Sequence, residues 1–199
     1  LIMKFNLIII FTFFVFFTAG HVSAQQHQKP LGYDLSAGLQ TFYAPFLKAD
    51  VKGMHPVILA GVHQPLNLKN NVGLTLKLGY NRHAKQGDAL FTQLLFNYTP
   101  VIANRLELGI GAGIGYQLAF YPSKPLKWNG TEWVAGKANK GVIQIPAQVS
   151  IGYRGIETGK GTFTPYISYQ LNALFKYTPD LTPLPASFFL LGVKYSAKK

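Results

Sequence analysis

The longest regular pattern in the chain is a strict alternation of apolar and polar or small residues between Leu106 and Leu118. Leucine, isoleucine, alanine and tyrosine occupy one set of positions, and glycines with Glu107 and Gln117 occupy the other. A period of two indicates a β-strand with one apolar face. Strands of soluble proteins are usually about 5–6 residues long, whereas a tilted strand that crosses a membrane needs about 9–11. The pattern therefore predicts a membrane-spanning strand.

Seven further segments alternate in the same way. They are Leu31–Phe42, Pro56–Gln64, Val72–Asn81, Ala89–Tyr98, Val142–Arg154, Thr162–Phe175 and Phe188–Ser196. Their polar faces are dominated by Gly, Ser, Gln, Asn and Thr, except that both faces of the second segment are mostly apolar and its facing is ambiguous. Together the eight segments predict an all-β fold, an eight-stranded antiparallel up-and-down transmembrane β-barrel.

The connections between these segments differ in length in a regular way. Residues 65–71, 99–104 and 155–161 are short connections, residues 43–55, 119–141 and 176–187 are long ones, and residues 82–88 are intermediate. Outer-membrane barrels have short periplasmic turns and longer outer loops. Tyrosines near strand ends fit the aromatic girdles of such barrels: Tyr80, Tyr98, Tyr116, Tyr153 and Tyr195.

A soluble lipocalin-like lipid carrier is the main structural alternative, because it also has eight alternating strands. Its apolar residues would face inward and its polar residues outward. The polar faces here are too small and polar to line a ligand pocket, and they carry too few charges for a surface that meets water. The pattern favours the membrane barrel over the soluble one.

The N-terminus has the pattern of a secretory signal peptide. Lys4 precedes an apolar run at 7–17, and Val22–Ala24 forms a small-x-small cleavage site. The run is shorter than the about 20 residues that a membrane helix needs. We expect residues 1–24 to be cleaved and residues 25–199 to form a single domain, placed in the outer membrane of a Gram-negative bacterium.

Composition changes this interpretation little. The formal net charge is +12, from 19 Lys and Arg against 7 Asp and Glu, but the basic residues are spread singly through turns and loops. Nucleic-acid binding needs a clustered basic patch, so we expect no nucleic-acid partner. The absence of cysteine is compatible with any compartment.

The signal peptide, the eight segments and the Gly-x-Gly-x-Gly-x-Gly-Tyr strand at 109–116 resemble the small outer-membrane barrels of the OmpA/OmpX type. The resemblance covers about residues 31–195 and is specific for architecture. It implies a monomer, inserted by the barrel-assembly machinery, that contacts outer-membrane lipid and lipopolysaccharide. The family pattern ends with an aromatic residue, a role that Tyr195 takes here although residues 196–199 follow.

The polar, lumen-facing sides of the strands carry the charged residues Lys77, Glu107, Arg154 and Lys194. An eight-stranded barrel is just filled by its inward side chains, and buried charges must pair. Because their strands are neighbours and both lie at the short-turn end, we predict that Glu107 pairs with Arg154, with Lys194 nearby across the lumen. The cluster would act as a structural plug or, alternatively, as a gate that opens a narrow pore by switching partners.

The long loops carry more positive than negative charge and two tryptophans. Their basic residues are Lys48, Lys52, Arg82, Lys85, Lys124, Lys127, Lys137, Lys140 and Lys176, and their acidic residues are Asp50, Asp88, Glu132 and Asp180. A cationic rim would attract the phosphates of lipopolysaccharide. Trp128 and Trp133 flank an Asn129-Gly130 turn, which predicts either a protruding hairpin or a loop with its aromatics packed on its own base.

Enzymatic chemistry has weak support. The mature chain has four histidines, His27, His55, His63 and His83. A lipid A-modifying enzyme, a deacylase or acyltransferase, would need a serine within reach of a base. His55, His83 and Asp88 lie near the long loops with Ser123 and Ser187, but no spacing brings them together. The glycines at 109–115 do not match a nucleotide-binding loop.

We therefore expect a non-enzymatic outer-membrane barrel without cofactor, metal site or catalytic residue, serving envelope integrity, surface interaction or at most a very narrow, porin-like pore.

Overall fold

The structure is a computed structural model that describes residues 30–41, 55–67, 69–83, 87–103, 105–124, 126–177 and 182–197. The expected signal peptide lies outside these residues, as does the start of the expected mature chain. In the described part of the chain, no α-helix has the length and hydropathy of a membrane span.

Eight long strands form the barrel. They are β1 (Gly32–Thr41), β2 (His55–Pro65), β3 (Val72–Asn81), β4 (Asp88–Tyr98), β5 (Leu106–Phe120), β6 (Asn139–Tyr153), β7 (Gly161–Phe175) and β8 (Leu184–Ala197). Each pairs antiparallel with the next, and β1 also pairs antiparallel with β8, which closes the sheet on itself. The predicted fold class, an all-β eight-stranded antiparallel barrel, is confirmed.

Short strands extend the ends of the barrel. Val101–Ile102 and Ile156–Thr158 lie in the short turns and pair with β5 and β7 respectively. Leu126–Trp128 and Trp133–Ala135 form a separate two-stranded hairpin in the connection between β5 and β6.

Apolar side chains cover the outside of the barrel. Ile114 and Leu191 are 60% and 65% exposed, and large apolar residues at alternate positions of every strand are exposed in the same way. Burial of the intervening residues follows the same period of two, because successive side chains of a strand point to opposite faces. The outward face is therefore one that a soluble protein would have to bury.

The inside of the barrel is less uniformly polar than the sequence pattern predicts. Its half nearer the long loops holds an apolar cluster that includes Val57, Leu59, Phe91, Phe188 and Leu190. The ambiguous second segment supplies two of these residues, and the structure thereby decides its facing. The sequence pattern, in which small and polar residues dominate the inward faces, did not predict this apolar cluster.

Glycines allow the bulky inward side chains to fit. A Cβ on Gly79 would lie 2.3 Å from the ring of Phe91, and one on Gly192 would lie 2.5 Å from the ring of Tyr166. The glycines thus occur where a neighbouring strand fills the lumen with an aromatic ring, and this arrangement leaves the barrel interior tightly packed.

Candidate functional site

Glu107 is the centre of an ionic cluster at the short-turn end of the lumen. Arg154 donates to its Oε2 from Nη2 at 2.5 Å and from Nε at 3.1 Å. Lys194 donates to the other oxygen, Oε1, at 2.6 Å. The carboxylate is almost fully buried. The structure therefore brings together three of the four lumen charges that the sequence analysis singled out.

The Arg154 side chain also crosses the mouth of the barrel. It extends from the residue after β6, and its Nη2 donates to the backbone carbonyl of Asn70 at 3.2 Å. Asn70 lies in the turn between β2 and β3, and β2 stands four strands away from β6 in the closed sheet. One guanidinium thus joins Glu107 to the opposite wall across the short-turn end of the lumen.

Lys77, the fourth predicted residue, has a different partner. Its Nζ lies 3.2 Å from Oδ1 of Asp34, and each side chain is 3% exposed. The Tyr166 hydroxyl donates to the same Asp34 oxygen at 2.8 Å. The Tyr166 ring lies beneath two ammonium groups, with Lys77 Nζ 5.7 Å and Lys194 Nζ 5.3 Å from its centroid. Tyr166 therefore connects the two ionic groups through cation–π contacts.

Asp34 and Tyr166 are the two site residues that the sequence analysis did not single out. Asp34 lies on the polar side of the first segment, so its position on a lumen face was visible. Tyr166 has the same parity as Thr164 and Ser168 on β7 and is buried like them. The alternation of inward and outward positions along each strand could thus have identified both residues as lumen-facing. The pairing of Asp34 with Lys77 could not be identified in this way, because it depends on the curvature of the closed barrel.

A layer of amides fills the lumen beyond the charges. Gln93 on β4 donates to the side-chain oxygen of Asn172 on β7 at 3.0 Å, and Gln170 donates to Gln93 at 3.0 Å. All three side chains are completely buried. Phe91 and Phe188 follow toward the long loops with ring centroids 5.6 Å apart. Charged, amide and apolar side chains therefore fill successive levels of the lumen.

The Trp hairpin, residues 126–135, extends from the long-loop end. The ladder between β5 and β6 reaches Phe120 and Asn139, and the hairpin follows as its own small sheet. Trp128 and Trp133 are cross-strand partners with ring centroids 5.5 Å apart. They are 51% and 66% exposed. Of the two predicted alternatives, the structure has the hairpin, with the rings packed on each other.

His55 and Ser187, two residues of the enzymatic alternative, lie on opposite faces of the sheet. His55 is the first residue of β2, on the inward side with Val57, and its ring stacks on that of His83 with centroids 3.6 Å apart. Ser187 shares the outward side of β8 with Phe189, and its hydroxyl is 2.6 Å from that of Tyr169. Within the described ranges, no group of three or more potential ligands is positioned to hold a metal ion.

The fold is similar to those of small outer-membrane barrels. Neisserial surface protein A aligns with a TM-score of 0.59 and 10% sequence identity, over 86% of this chain and 99% of that chain. Ail, the attachment invasion locus protein of Yersinia pestis, aligns with a TM-score of 0.53 and 12% identity, over 85% and 99%. At these identities the likeness concerns the fold alone, and at that level it confirms the resemblance. No family model and no curated protein sequence matches the chain.

Proposed function

We propose that the protein is a non-enzymatic, non-conducting barrel of a bacterial outer membrane, and that its molecular contacts are made at the long-loop rim. The observation that carries this proposal is the distribution of side chains. The outside is apolar on all eight strands, while paired charges and amides lie within. Hydrocarbon is the environment that such an outer surface fits, and a closed barrel satisfies its backbone polar groups there.

The filled lumen argues against transport. Arg154 spans the short-turn end, and the half nearer the long loops contains Phe91 and Phe188, each 1% exposed. An ion that followed this path would have to displace both an ionic cluster and an apolar one. We therefore propose that the ionic groups act as a structural plug and that neither end of the lumen opens.

The proposed cellular setting follows from the same arrangement. Residues 1–24 would direct export and be removed, and the barrel-assembly machinery would insert the mature chain as a monomer. Its surroundings would be outer-membrane lipid and lipopolysaccharide. Because side chains of the described strands fill the lumen, we place the function in the loops and the Trp hairpin.

Two measurements on the expressed protein test this proposal. Boiled and unboiled outer-membrane fractions should differ in gel mobility, because a membrane barrel resists unfolding by detergent until it is heated. The purified barrel should show no conductance steps in planar bilayers, in wild type and in Glu107→Gln alike. A protein found in the soluble periplasmic fraction would refute the membrane assignment, and regular conductance steps would refute the plug.

A further inference from the structure

We propose that the Trp hairpin is a docking site for the phosphorylated saccharide of lipopolysaccharide in the membrane leaflet around the barrel. This inference rests on the proposed outer-membrane location. It adds to that proposal a defined surface and a defined ligand chemistry, namely sugar rings that carry phosphate groups.

Hydrogen bonds fix the turn of the hairpin. The side-chain oxygen of Asn129 accepts hydrogen bonds from the backbone N–H of Thr131 and of Glu132, both at 2.9 Å. The backbone N–H of Asn129 donates to the carbonyl of Glu132 at 3.1 Å. Gly130 takes the turn position with a φ of 109°, which favours glycine. A rigid turn lowers the entropy that is lost on binding.

One face of the hairpin is aromatic and open. Leu126 and Trp128 lie on the same side of their strand, and Trp133 stands directly across from Trp128. Leu126 is 67% exposed, more than either ring. A sugar presents its C–H groups as a weakly positive flat surface, which fits the negative face of an indole. The two indoles are tilted by 57° to each other and therefore offer two adjoining stacking surfaces to a saccharide chain.

Cations lie at the base of the hairpin, next to the rim of the barrel. Lys124 and Lys137 are exposed on its two sides. Lys140, at the start of β6, donates to the carbonyl of Tyr177 at 3.2 Å and adds its charge nearby. Glu132 is the one acidic residue between Tyr121 and Lys140. The base is thus complementary to an anion.

The order of the lysines and the tryptophans along the hairpin favours lipopolysaccharide over other anionic ligands. By position along the chain, Lys124 and Lys137 lie between the barrel strands and the hairpin, and the two tryptophans lie nearer its turn. Lipopolysaccharide has the same order, since its phosphates lie on the sugars nearest the hydrocarbon and further sugars extend away from the membrane. Lysines are suited to phosphate as point charges, and the tryptophans would contact the sugars beyond.

The chain offers a direct reporter for this contact. It contains two tryptophans, and both are in the hairpin. Selective excitation of tryptophan therefore reports on this surface alone. The full mature barrel would be placed in nanodiscs of neutral phospholipid and titrated with deacylated lipopolysaccharide that retains its phosphates. We expect saturable protection of the indoles from acrylamide quenching.

Charge and ring variants test the two halves of the surface. Lys124→Gln combined with Lys137→Gln should weaken binding about thirtyfold, since each lysine near an anionic lipid surface contributes about fivefold. Removing the phosphates from the ligand should have a similar effect. Trp133→Leu, read out through Trp128, should weaken binding about threefold to tenfold. Lys69→Gln with Lys160→Gln, the same charge change in the short turns, should leave the affinity unchanged.

Four results would overturn the inference. The first is that deacylated lipopolysaccharide leaves acrylamide quenching of the tryptophans unchanged. The second and third are that an acidic polysaccharide without phosphate, or phosphatidylglycerol alone, protects the tryptophans as well as lipopolysaccharide does. The fourth is that the Lys69→Gln and Lys160→Gln control loses as much affinity as the Lys124→Gln and Lys137→Gln variant. Heat-modifiable mobility and bilayer recordings on the same preparation separate the two proposals. A barrel that inserts and does not conduct but does not bind lipopolysaccharide refutes the hairpin inference only. A protein that does not insert into the membrane refutes both the hairpin inference and the proposed outer-membrane function.

Discussion

Replacing Asp34 by Asn should destabilise the barrel more than replacing Glu107 by Gln. The substitution removes the anion from Lys77, whose Nζ lies 3.2 Å from the carboxylate. Both side chains are 3% exposed, so the lysine left behind has no access to water. The amide retains the shape of the carboxylate and still accepts from Tyr166, and the loss therefore reports on charge rather than on packing.

The magnitude follows from the exposure of the cations that lose their partner. Breaking a buried ion pair by removing one member costs about 3–5 kcal/mol, and we expect Asp34→Asn near 4 kcal/mol. Glu107→Gln also removes an anion, but Arg154 and Lys194 are 25% and 21% exposed at the mouth. These two cations can be rehydrated there, so we expect about 2 kcal/mol.

The assay is urea unfolding of the folded barrel in detergent micelles, followed by the loss of heat-modifiable gel mobility. Lys77→Met in the Asp34→Asn background is the matched control, because removing both charges of a buried pair is often close to neutral. That double variant should recover most of the lost free energy of unfolding. The reasoning is refuted if Asp34→Asn costs no more than Glu107→Gln, or if the double variant is less stable than the single one.

Three further changes test the packing and the two faces of the barrel. Gly113→Ala should prevent formation of the heat-modifiable barrel because its Cβ would lie 1.9 Å from the carbonyl oxygen of Leu94, whereas Gly159→Ala, with nothing within 4 Å, should fold normally. Ile114→Arg places a charge at the middle of the outer face of β5 and should lower the free energy of unfolding in lipid by about 2–4 kcal/mol; a cost below about 1 kcal/mol would contradict a hydrocarbon environment. Phe91→Ala should cost about 3–5 kcal/mol in the same urea assay, and a neutral effect would show that the apolar cluster does not contribute to stability.

The strands could be predicted because their signal is local. The segment between Val72 and Asn81 was predicted at the bounds that β3 has in the structure. The segment between Pro56 and Gln64 was also placed correctly, but its facing was not determined, because apolar residues occupy both sides. Only the neighbours decide that Val57 and Leu59 point inward, where they join Phe91 and Phe188.

The sequence was sufficient to place the charges of the ionic site on the lumen face. It was sufficient to predict only some of the pairs that these charges form. Glu107 and Arg154 lie on adjacent strands at the same short-turn end of the barrel, and that proximity can be inferred from the order and direction of the strands. Lys77 and Asp34 lie two strands apart, and their contact requires the sheet to curve. Lys194 reaches Glu107 from a strand three positions away, a contact that exists only in a closed barrel.

The sequence by itself determined the class of fold, the number of strands and the outward face of most of them. These properties follow from the period of two and from the length of each alternating run, which depend on successive residues only. The tertiary structure decided the closure between β1 and β8 and the partner of each lumen charge. It also decided that apolar side chains fill the half of the lumen nearer the long loops. The physical reason is that an inward side chain meets residues of strands across the lumen, so its neighbours are set by barrel curvature and register rather than by its position in the chain.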